Sequence, residues 1–566
     1  MLKAPREWAP HSTRIIAARE ILERLVTACA RERLVPCQIT ESAIHLAGLI
    51  SIPVERFYTM ERLDLAALPS DYPESECDDL FSWFLDTLFP SLSPDKRSSL
   101  LEELENSYLN MALSLEALNT LGEGEIGRED LADWEGKVWC GHPLHPGARL
   151  RSGVSVEENL AYGPEWKARL ELKLLSVPEQ GIHQIGDFTH RLLRLFPSLG
   201  PGEAGRVLVP VHPWQAAHDL PVRFKSRFDS GELYFREETI PARPTMSFRT
   251  LILESEVGQD YHLKLPVAVQ TTGATRTVSV ASTYNGPLMS GFLTRLMNLP
   301  IFAESQLFHH LHLMAEPASF YLKTGSENES RFCAGILRDG PGMKRIRGPR
   351  QVMPVAALLE PRDNPLFVRL ARYYGLAPIT LFTNYCRRLL PAQAFLCGQM
   401  GVALESHPQN MLVDFRGLPG TSPDIYFWYR DLGGIRLHAG RLRQALHERG
   451  WDDTLEAPEF WPGSATATDS ERDLSSKFVY SLLQNHLGEL IRASSRTGMD
   501  ESELWSVVSE VLNDHRKLLG HDLETRVFAP EWDLKAMWTM RIDSAVTEYT
   551  YQPVRNPLIG GQVSSQ

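Results

Sequence analysis

Apolar residues recur at helical spacing over 13–34 (TRIIAAREILERLVTACARERL) and more strongly over 95–121 (DKRSSLLEELENSYLNMALSLEALNTL), so both stretches are predicted to be helices. Between them, ITESAIHLAGLISIPVERFYTMERLDL breaks into short apolar pieces separated by turn residues, the pattern of a small sheet or hairpin. The middle of the chain changes period. RVLVPV (206–211), TMSFRTLIL (245–253) and YHLKLPVAVQ (261–270) are short, rich in β-branched or alternating residues and bounded by Pro and Gly, so each is predicted to be a strand. Residues 290–315 return to a helical period. Further on, GVALESH (401–407) and MLVDF (411–415) bracket PQN as a strand–turn–strand, and DIYFWYRDLGGIRLH (424–438) predicts a hairpin turning at Gly433 and Gly434. Helical spacing closes the pattern over 475–494 and 501–519, after a Pro-, Ser- and Thr-rich linker at 455–470.

The drift from helix to strand to helix predicts an α+β chain, and 566 residues are too many for one core, which implies two to four domains. A formal net charge of −13 argues against a nucleic-acid binder with a broad basic face. Any polyanion would instead need a local cationic pocket within an acidic surface. No apolar run is long enough to span a bilayer, and the start, MLKAPREWAPHSTR, lacks the apolar region of a secretory signal. The seven cysteines are scattered and form no CxxC, which points to reduced thiols and a cytoplasmic protein without membrane attachment.

Separating the two faces of the predicted strands yields the first candidate chemistry. Ser247 and Arg249 share one face of MSFRTL, and His262 and Lys264 one face of YHLKLP; Arg276 lies twelve residues past Lys264. Were these strands neighbours, Arg249, Lys264 and Arg276 would converge on one sheet face; the competing reading leaves each as a solvated surface cation. Glu405 and His407 sit at i and i+2 in GVALESHPQN, with Asn410 just past the turn and Asp431 at the start of the next hairpin. Glu, Asn and Asp are hard oxygen donors suited to Mg²⁺, which usually binds together with substrate phosphates. The competing reading of Glu405 is a structural carboxylate held by a neighbouring Arg.

Cations, carboxylates and a metal together fit nucleotide phosphate chemistry, although neither GxxxxGK[ST] nor a GxGxxG after a strand is present. The histidines of LFHHLH (His309, His310, His312) and HPLH (His142, His145) match no zinc-hydrolase spacing, and the former read as the polar edge of a helix. The segment GHPLHPGARLRSGVS (141–155) combines a backbone stiffened by Pro with donors from His142, His145, Arg149 and Arg151, a composition suited to an anion clamp.

Taken in order, GHPLHPGARLRSG, YGPEW, VHPWQ, SFRTL, KLPVAVQTTGATRT, ESHPQN, YRD and a late MRI…NPL resemble the aerobactin-synthetase-like (IucA/IucC) family of NRPS-independent siderophore synthetases over roughly residues 135–560. The resemblance implies activation of a carboxylate of citrate, or of a citrate derivative, with ATP and Mg²⁺, followed by capture of the acyl-adenylate by an amine or alcohol. It implies a cupped-hand architecture: a helical thumb over 1–135, sheet-containing fingers over 136–385 and a mainly helical palm over 386–566, commonly as a homodimer.

It places Ser247, Arg249, Lys264 and Arg276 in the ATP and carboxylate pocket, His145 and His407 at the phosphates, and Glu405, Asn410 and Asp431 at the metal. His145, Arg276 and His407 carry the catalytic role, and Thr272, Gln409 and His407 contact substrate. Family members often have Lys where this chain has Arg149, and EAH where it has ESH at 405–407. The alternative is an iron-uptake protein that binds siderophores or reduces ferric iron without ligase activity. The nucleophile, and whether citrate itself is the acyl donor, are left open by the sequence.

Overall fold

The computed structural model describes residues 8–69, 72, 77, 79–200, 202–258, 260–271, 274–342, 349–451, 455–543 and 550–559. The chain mixes helix and sheet, 45% and 21% of it respectively. Its N-terminal part pairs the helix His11–Arg31 with the helix Pro94–Leu121 and sets four antiparallel strands beside them: β1 (Cys37–Ile39), β2 (Ala43–Leu46), β3 (Ile50–Tyr58) and β4 (Arg62–Leu65). The second helix begins where the sequence marks it: Ser93 accepts from the Lys96 N–H at 3.4 Å, Pro94 takes the first helical position, and Gly122 ends the helix at φ +75°. Ile21, Leu22, Leu25 and Leu104 fill this core, joined by Trp538 from the far end of the chain.

The central sheet has eight strands in the order β6-β14-β15-β10-β9-β8-β5-β7. They are β5 (Leu170–Pro178), β6 (Ile182–Ile185), β7 (Arg206–Val211), β8 (Tyr234–Pro244), β9 (Thr250–Leu253), β10 (Tyr261–Lys264), β14 (Ala318–Leu322) and β15 (Ala334–Asp339). Strand β7 coincides with RVLVPV, is buried from Val207 to Val211, and joins the core that holds Leu172, Phe188, Ile240 and Phe320.

Two other predicted strands are shorter than their apolar runs. TMSFR is a turn between β8 and β9, with Phe248 at φ +67°, so Ser247 and Arg249 stand on a strained loop and not on one strand face. The run 261–270 splits at Leu265-Pro266, and β11 (Val267–Thr271) leaves the sheet to pair with β12 (Ala274–Arg276). Lys264 and Arg276 therefore belong to different sheets.

The C-terminal third packs β13 (Leu311–Leu313), β19 (Asp424–Tyr429), β18 (Met411–Arg416) and β16 (Arg350–Pro354) in that order, beside a helical core centred on Pro378–Gly398 and 477–495. DIYFWYRDLGGIRLH is not a hairpin: β19 pairs with β18, while β20 (Arg436–Leu437) pairs with β17 (Val402–Ala403). Residues 290–315 are helical only to Ser305, and His312 lies on β13, parallel to β19, rather than on a helix edge. Its ring packs tilted against Trp428, with centroids 4.6 Å apart. Strands β21 (Glu531–Lys535) and β22 (Tyr551–Arg555) close the chain. No helix among the described residues is long and apolar enough to cross a membrane.

Candidate functional site

A cavity of about 300 Å³ lies where the central sheet, the β17–β18 loop and the segment 140–151 meet. Ser247, Arg249, Lys264, Arg276, Glu405, His407, Gln409, Asn410 and Asp431 all line it, so elements scattered over the sequence meet at one cavity. Thr272 lies outside the described residues. His145 is buried just behind the wall, close enough for the Arg276 charge to bear on its ring.

The cations arrive on separate elements. Arg249 hangs from the Phe248 turn, where Ser247 Oγ accepts from the Thr250 N–H at 3.1 Å and the Arg249 guanidinium donates to the Thr277 carbonyl. Lys264 ends β10 and donates to Asp431 Oδ1 at 2.6 Å; Arg338 of β15 stands 3.7 Å from the same oxygen. Arg276 ends β12 and donates from Nε to Thr271 Oγ1. Burial, reinforced by Arg276 alongside, pulls Arg249 down to about 10, and burial lowers Lys264 against the pull of Asp431. The site thus concentrates positive charge in a chain whose net charge is −13.

Glu405 and His407 do not alternate on a strand: β17 stops at Ala403, and residues 404–410 form a loop. The Asn410 N–H donates to the His407 carbonyl at 2.9 Å, and Asn410 Nδ2 donates to the Glu405 carbonyl at 3.2 Å. Glu405 is ion-paired with Lys477, which was not singled out from sequence. Burial raises the Glu405 carboxyl, but Lys477 outweighs it and holds the group ionised; Lys264 and Arg338 do the same for Asp431. No cluster of three His, Cys, Asp or Glu side chains set for a metal occurs among the described residues. Two ionised carboxylates, each paired with a lysine, and the Asn410 amide oxygen nevertheless form a hard-oxygen set compatible with Mg²⁺ that completes its shell with phosphate oxygens and water.

The four His-Pro pairs of the chain share one device. Proline has no N–H and holds the preceding residue extended. Each histidine ring then folds back, and its Nδ1 accepts a backbone N–H two residues on: Leu144 at 3.2 Å, Gly147 at 2.9 Å, Trp214 at 3.1 Å and Gln409 at 3.3 Å. Burial keeps all four rings neutral, with His145 lowered to about 4 and His212 to about 3. A neutral ring accepting at Nδ1 carries its proton on Nε2, so His145 and His407 are preset as Nε2–H donors.

The linkage follows in sign: the unfolded histidine binds a proton near pH 6.5 and the folded one only well below, so stability falls as pH drops through that window. His212→Asn keeps a cap acceptor and removes the titrating ring. At pH 5.5 the variant should lack about 1.4 kcal/mol of the wild type's acid destabilisation. Denaturant midpoints at pH 7.5 and 5.5 check this, and parallel losses in both proteins contradict it.

Arg149 and Arg151 do not serve as the free clamp their composition suggested. Both pair with Glu165, Arg151 at 2.7 Å, and Arg149 also reaches Ser114 on the long helix. They fix the loop instead: the Arg149 N–H donates to Ser107 Oγ at 3.0 Å and the Arg151 N–H to Asn106 Oδ1 at 2.8 Å. The Arg151 guanidinium sits 4.9 Å over the Phe248 ring and so braces the strained turn. Ser406 turns away from the cavity, bonding Gln393 at 0% exposure, so ESH in place of EAH leaves the pocket lining intact.

Arg430 was also overlooked. It binds Glu135 at 2.5 Å and the Gln409 carbonyl at 2.9 Å, while Glu135 Oε2 accepts the Met246 N–H at 3.1 Å. One buried ion pair therefore ties the Ser247 turn to the Gln409 loop. Its only sequence signal is adjacency to Asp431 in YRD.

Residues 130–360 match the model of the IucA / IucC family, and residues 380–547 that of the ferric iron reductase FhuF-like transporter. The chain is 26% identical to D-ornithine--citrate ligase of Staphylococcus aureus, over 83% of this chain and 78% of that protein. It is 28% identical to staphyloferrin A synthase of the same organism, over 76% and 73%. In fold it is similar to the petrobactin biosynthesis protein AsbB of Bacillus anthracis, with TM-score 0.78 and 18% identity over 97% of this chain and 96% of that one. It also resembles ATP-bound aerobactin synthetase IucA of Klebsiella pneumoniae, with TM-score 0.74 and 20% identity over 96% and 100%. Residues 130–360 thus match the IucA / IucC family, and aerobactin synthetases of that family are among the structural neighbours of the chain.

Proposed function

We propose that this protein is an ATP- and Mg²⁺-dependent siderophore synthetase that adenylates a carboxylate of citrate, or of a citrate derivative, and condenses it with an amine or alcohol. The observation that carries the reading is the convergence of Arg249, Lys264, Arg276 and the His407 loop on one cavity of an acidic chain. The names of its relatives, a citrate ligase and a siderophore synthase, support the acyl donor and the reaction class.

Citrate and ATP repel each other, so attack of a carboxylate oxygen on the α-phosphate needs cations already in place. Arg249 and Arg276 supply charge that survives at neutral pH, although burial lowers both. Lys264, buried and held by Asp431, adds a third cation. Neutral His145 and His407 present Nε2–H donors to the oxygens that become more negative as pyrophosphate leaves; because they are rigid before substrate arrives, they need no reorganisation. Glu405, Asn410 and Asp431 would hold Mg²⁺, which neutralises phosphate charge when bound. In the second step the nucleophile attacks the acyl carbon and AMP departs, a reaction that positioning alone accelerates strongly.

Citrate-dependent exchange of labelled pyrophosphate into ATP tests the reading. Exchange that requires citrate and Mg²⁺ supports it; exchange with no carboxylic acid of a broad panel contradicts it.

The FhuF-like match over 380–547 supports the reductase alternative. Residues 398–566 contain no cysteine, so thiolate ligation of an iron–sulfur cluster cannot occur there. Iron–sulfur absorbance in the purified protein would favour that alternative instead.

A further inference from the structure

The cavity is larger than the cationic site. It is also lined by Glu20 and Arg24 of the helix His11–Arg31, by Cys140, and by Glu360, Arg362 and Glu489. The buried charges here are matched almost completely. Arg362 binds Glu20 at 2.6 Å and Glu23 at 2.9 Å, Arg24 binds Glu20 at 3.1 Å, and Arg62 binds Glu489 at 2.6 Å. Glu360 is the exception. It is 7% exposed, makes no ion pair among the described residues, and has as its recorded hydrogen bond the Cys140 N–H to Oε1 at 3.2 Å. A buried carboxylate without a cation is costly, and this one borders space that a ligand can fill.

The loop contacting Glu360 also shapes the chemical site. The Cys140 and His142 carbonyls accept from the Arg24 guanidinium at 3.4 and 3.1 Å, and three residues past His142, His145 stands behind the cavity wall. We propose that Glu360 receives the ammonium group of the incoming nucleophile and takes its proton, so that the nucleophile is a charged primary amine entering along the Glu20–Glu360 side of the cavity. This rests on the ligase reading above.

The step balances. The ammonium gives one proton to the Glu360 carboxylate and becomes a neutral amine. Its nitrogen lone pair forms the C–N bond to the acyl carbon, the bond from that carbon to the adenylate oxygen breaks with its electron pair going to AMP, and the second N–H proton is released to solvent. The local electrostatics suit a proton acceptor: burial, then the neighbouring Glu20 charge, push Glu360 up to about 7, while the Cys140 N–H and Arg24 pull the other way.

The test separates the two half-reactions. Pyrophosphate exchange with citrate reports adenylation. Amide formation is then followed with hydroxylamine, neutral at working pH, and with whichever of D-ornithine, L-2,3-diaminopropanoate and spermidine the wild type couples fastest. Glu360→Gln should keep exchange and hydroxylamine capture within about twofold and lose at least 10²-fold with the charged amine. In the wild type, charged-amine coupling should rise to about pH 7 and then level off, because above that pH the enzyme supplies the base.

Equal loss with both nucleophiles, a Glu360→Gln variant that couples the charged amine normally, a wild-type rate that keeps climbing tenfold per pH unit to pH 9, or acceptance of hydroxylamine but no charged amine would each overturn the proposal. The wild-type profile decides even if the variant does not fold. Absence of citrate-dependent exchange in the wild type would instead overturn the ligase reading itself.

Discussion

Arg276→Ala is expected to lower citrate-dependent pyrophosphate exchange by about 10²–10³-fold while leaving the thermal transition within a few degrees of wild type. Its guanidinium lines the cavity from the short β11–β12 hairpin, outside the eight-stranded sheet, so its removal opens no core void. Asp431 keeps its ion pair with Lys264 in the variant and is not stranded. The loss should fall on the rate of adenylation more than on citrate affinity, because the charge matters most when the two anions meet and pyrophosphate departs. Arg276→Lys should recover part of the activity, since charge survives but the planar donor fork does not. Turnover near wild type in the Ala variant would show that the converged cations are not the catalytic apparatus.

The largest stability effect is expected at Glu165. Its carboxylate holds Arg149 and Arg151, and all three side chains are no more than 6% exposed. Burial raises the Glu165 carboxyl, but the two guanidinium groups prevail and bring it down to about 2, so it is ionised at every working pH. Glu165→Ala leaves two buried cations without a counter-charge, and breaking such a network costs about 3–5 kcal/mol. The loop 141–155 should loosen first, because Arg149 and Arg151 anchor it to the helix Pro94–Leu121. Hydrogen exchange should therefore accelerate in that loop before the rest of the chain, with a lowered denaturant midpoint. A midpoint shift worth less than about 1 kcal/mol would mean that the loop is held mainly by its backbone bonds.

What the sequence made visible follows the physics of each signal. Regular periodicity marked the long helices, since one buried face imposes a repeat on the residues, and a short apolar run marked β7, which is buried on both faces. The apolar pattern misled at TMSFR and at YHLKLPVAVQ, where β-type residues run beyond the strand: Phe248 turns at positive φ against its local preference, and Pro266 breaks the second run. The converging residues were legible as an ordered set of motifs, although no spacing could show that they met.

Arg430, Lys477 and Glu165 stayed hidden because each acts through a partner tens to hundreds of residues away: Glu135, Glu405 and the Arg149–Arg151 pair. An ion pair leaves no pattern in either local segment. The N-terminal carboxylates were missed for the same reason. Glu23 and Asp64 meet Arg492 at 2.6 and 2.9 Å, a junction between segments more than 400 residues apart. The His-Pro device could have been found, since the dipeptide repeats at each loop concerned.

The most direct measurement of the central claim follows an oxygen atom. Citrate labelled with ¹⁸O in its carboxylates is incubated with the enzyme, ATP, Mg²⁺ and an accepted nucleophile, and the phosphorus products are analysed by mass. Attack of the carboxylate on the α-phosphate predicts one ¹⁸O atom in AMP for each amide or ester formed, with unlabelled pyrophosphate. Label appearing in inorganic phosphate beside ADP, or in no phosphorus product at all, would contradict it.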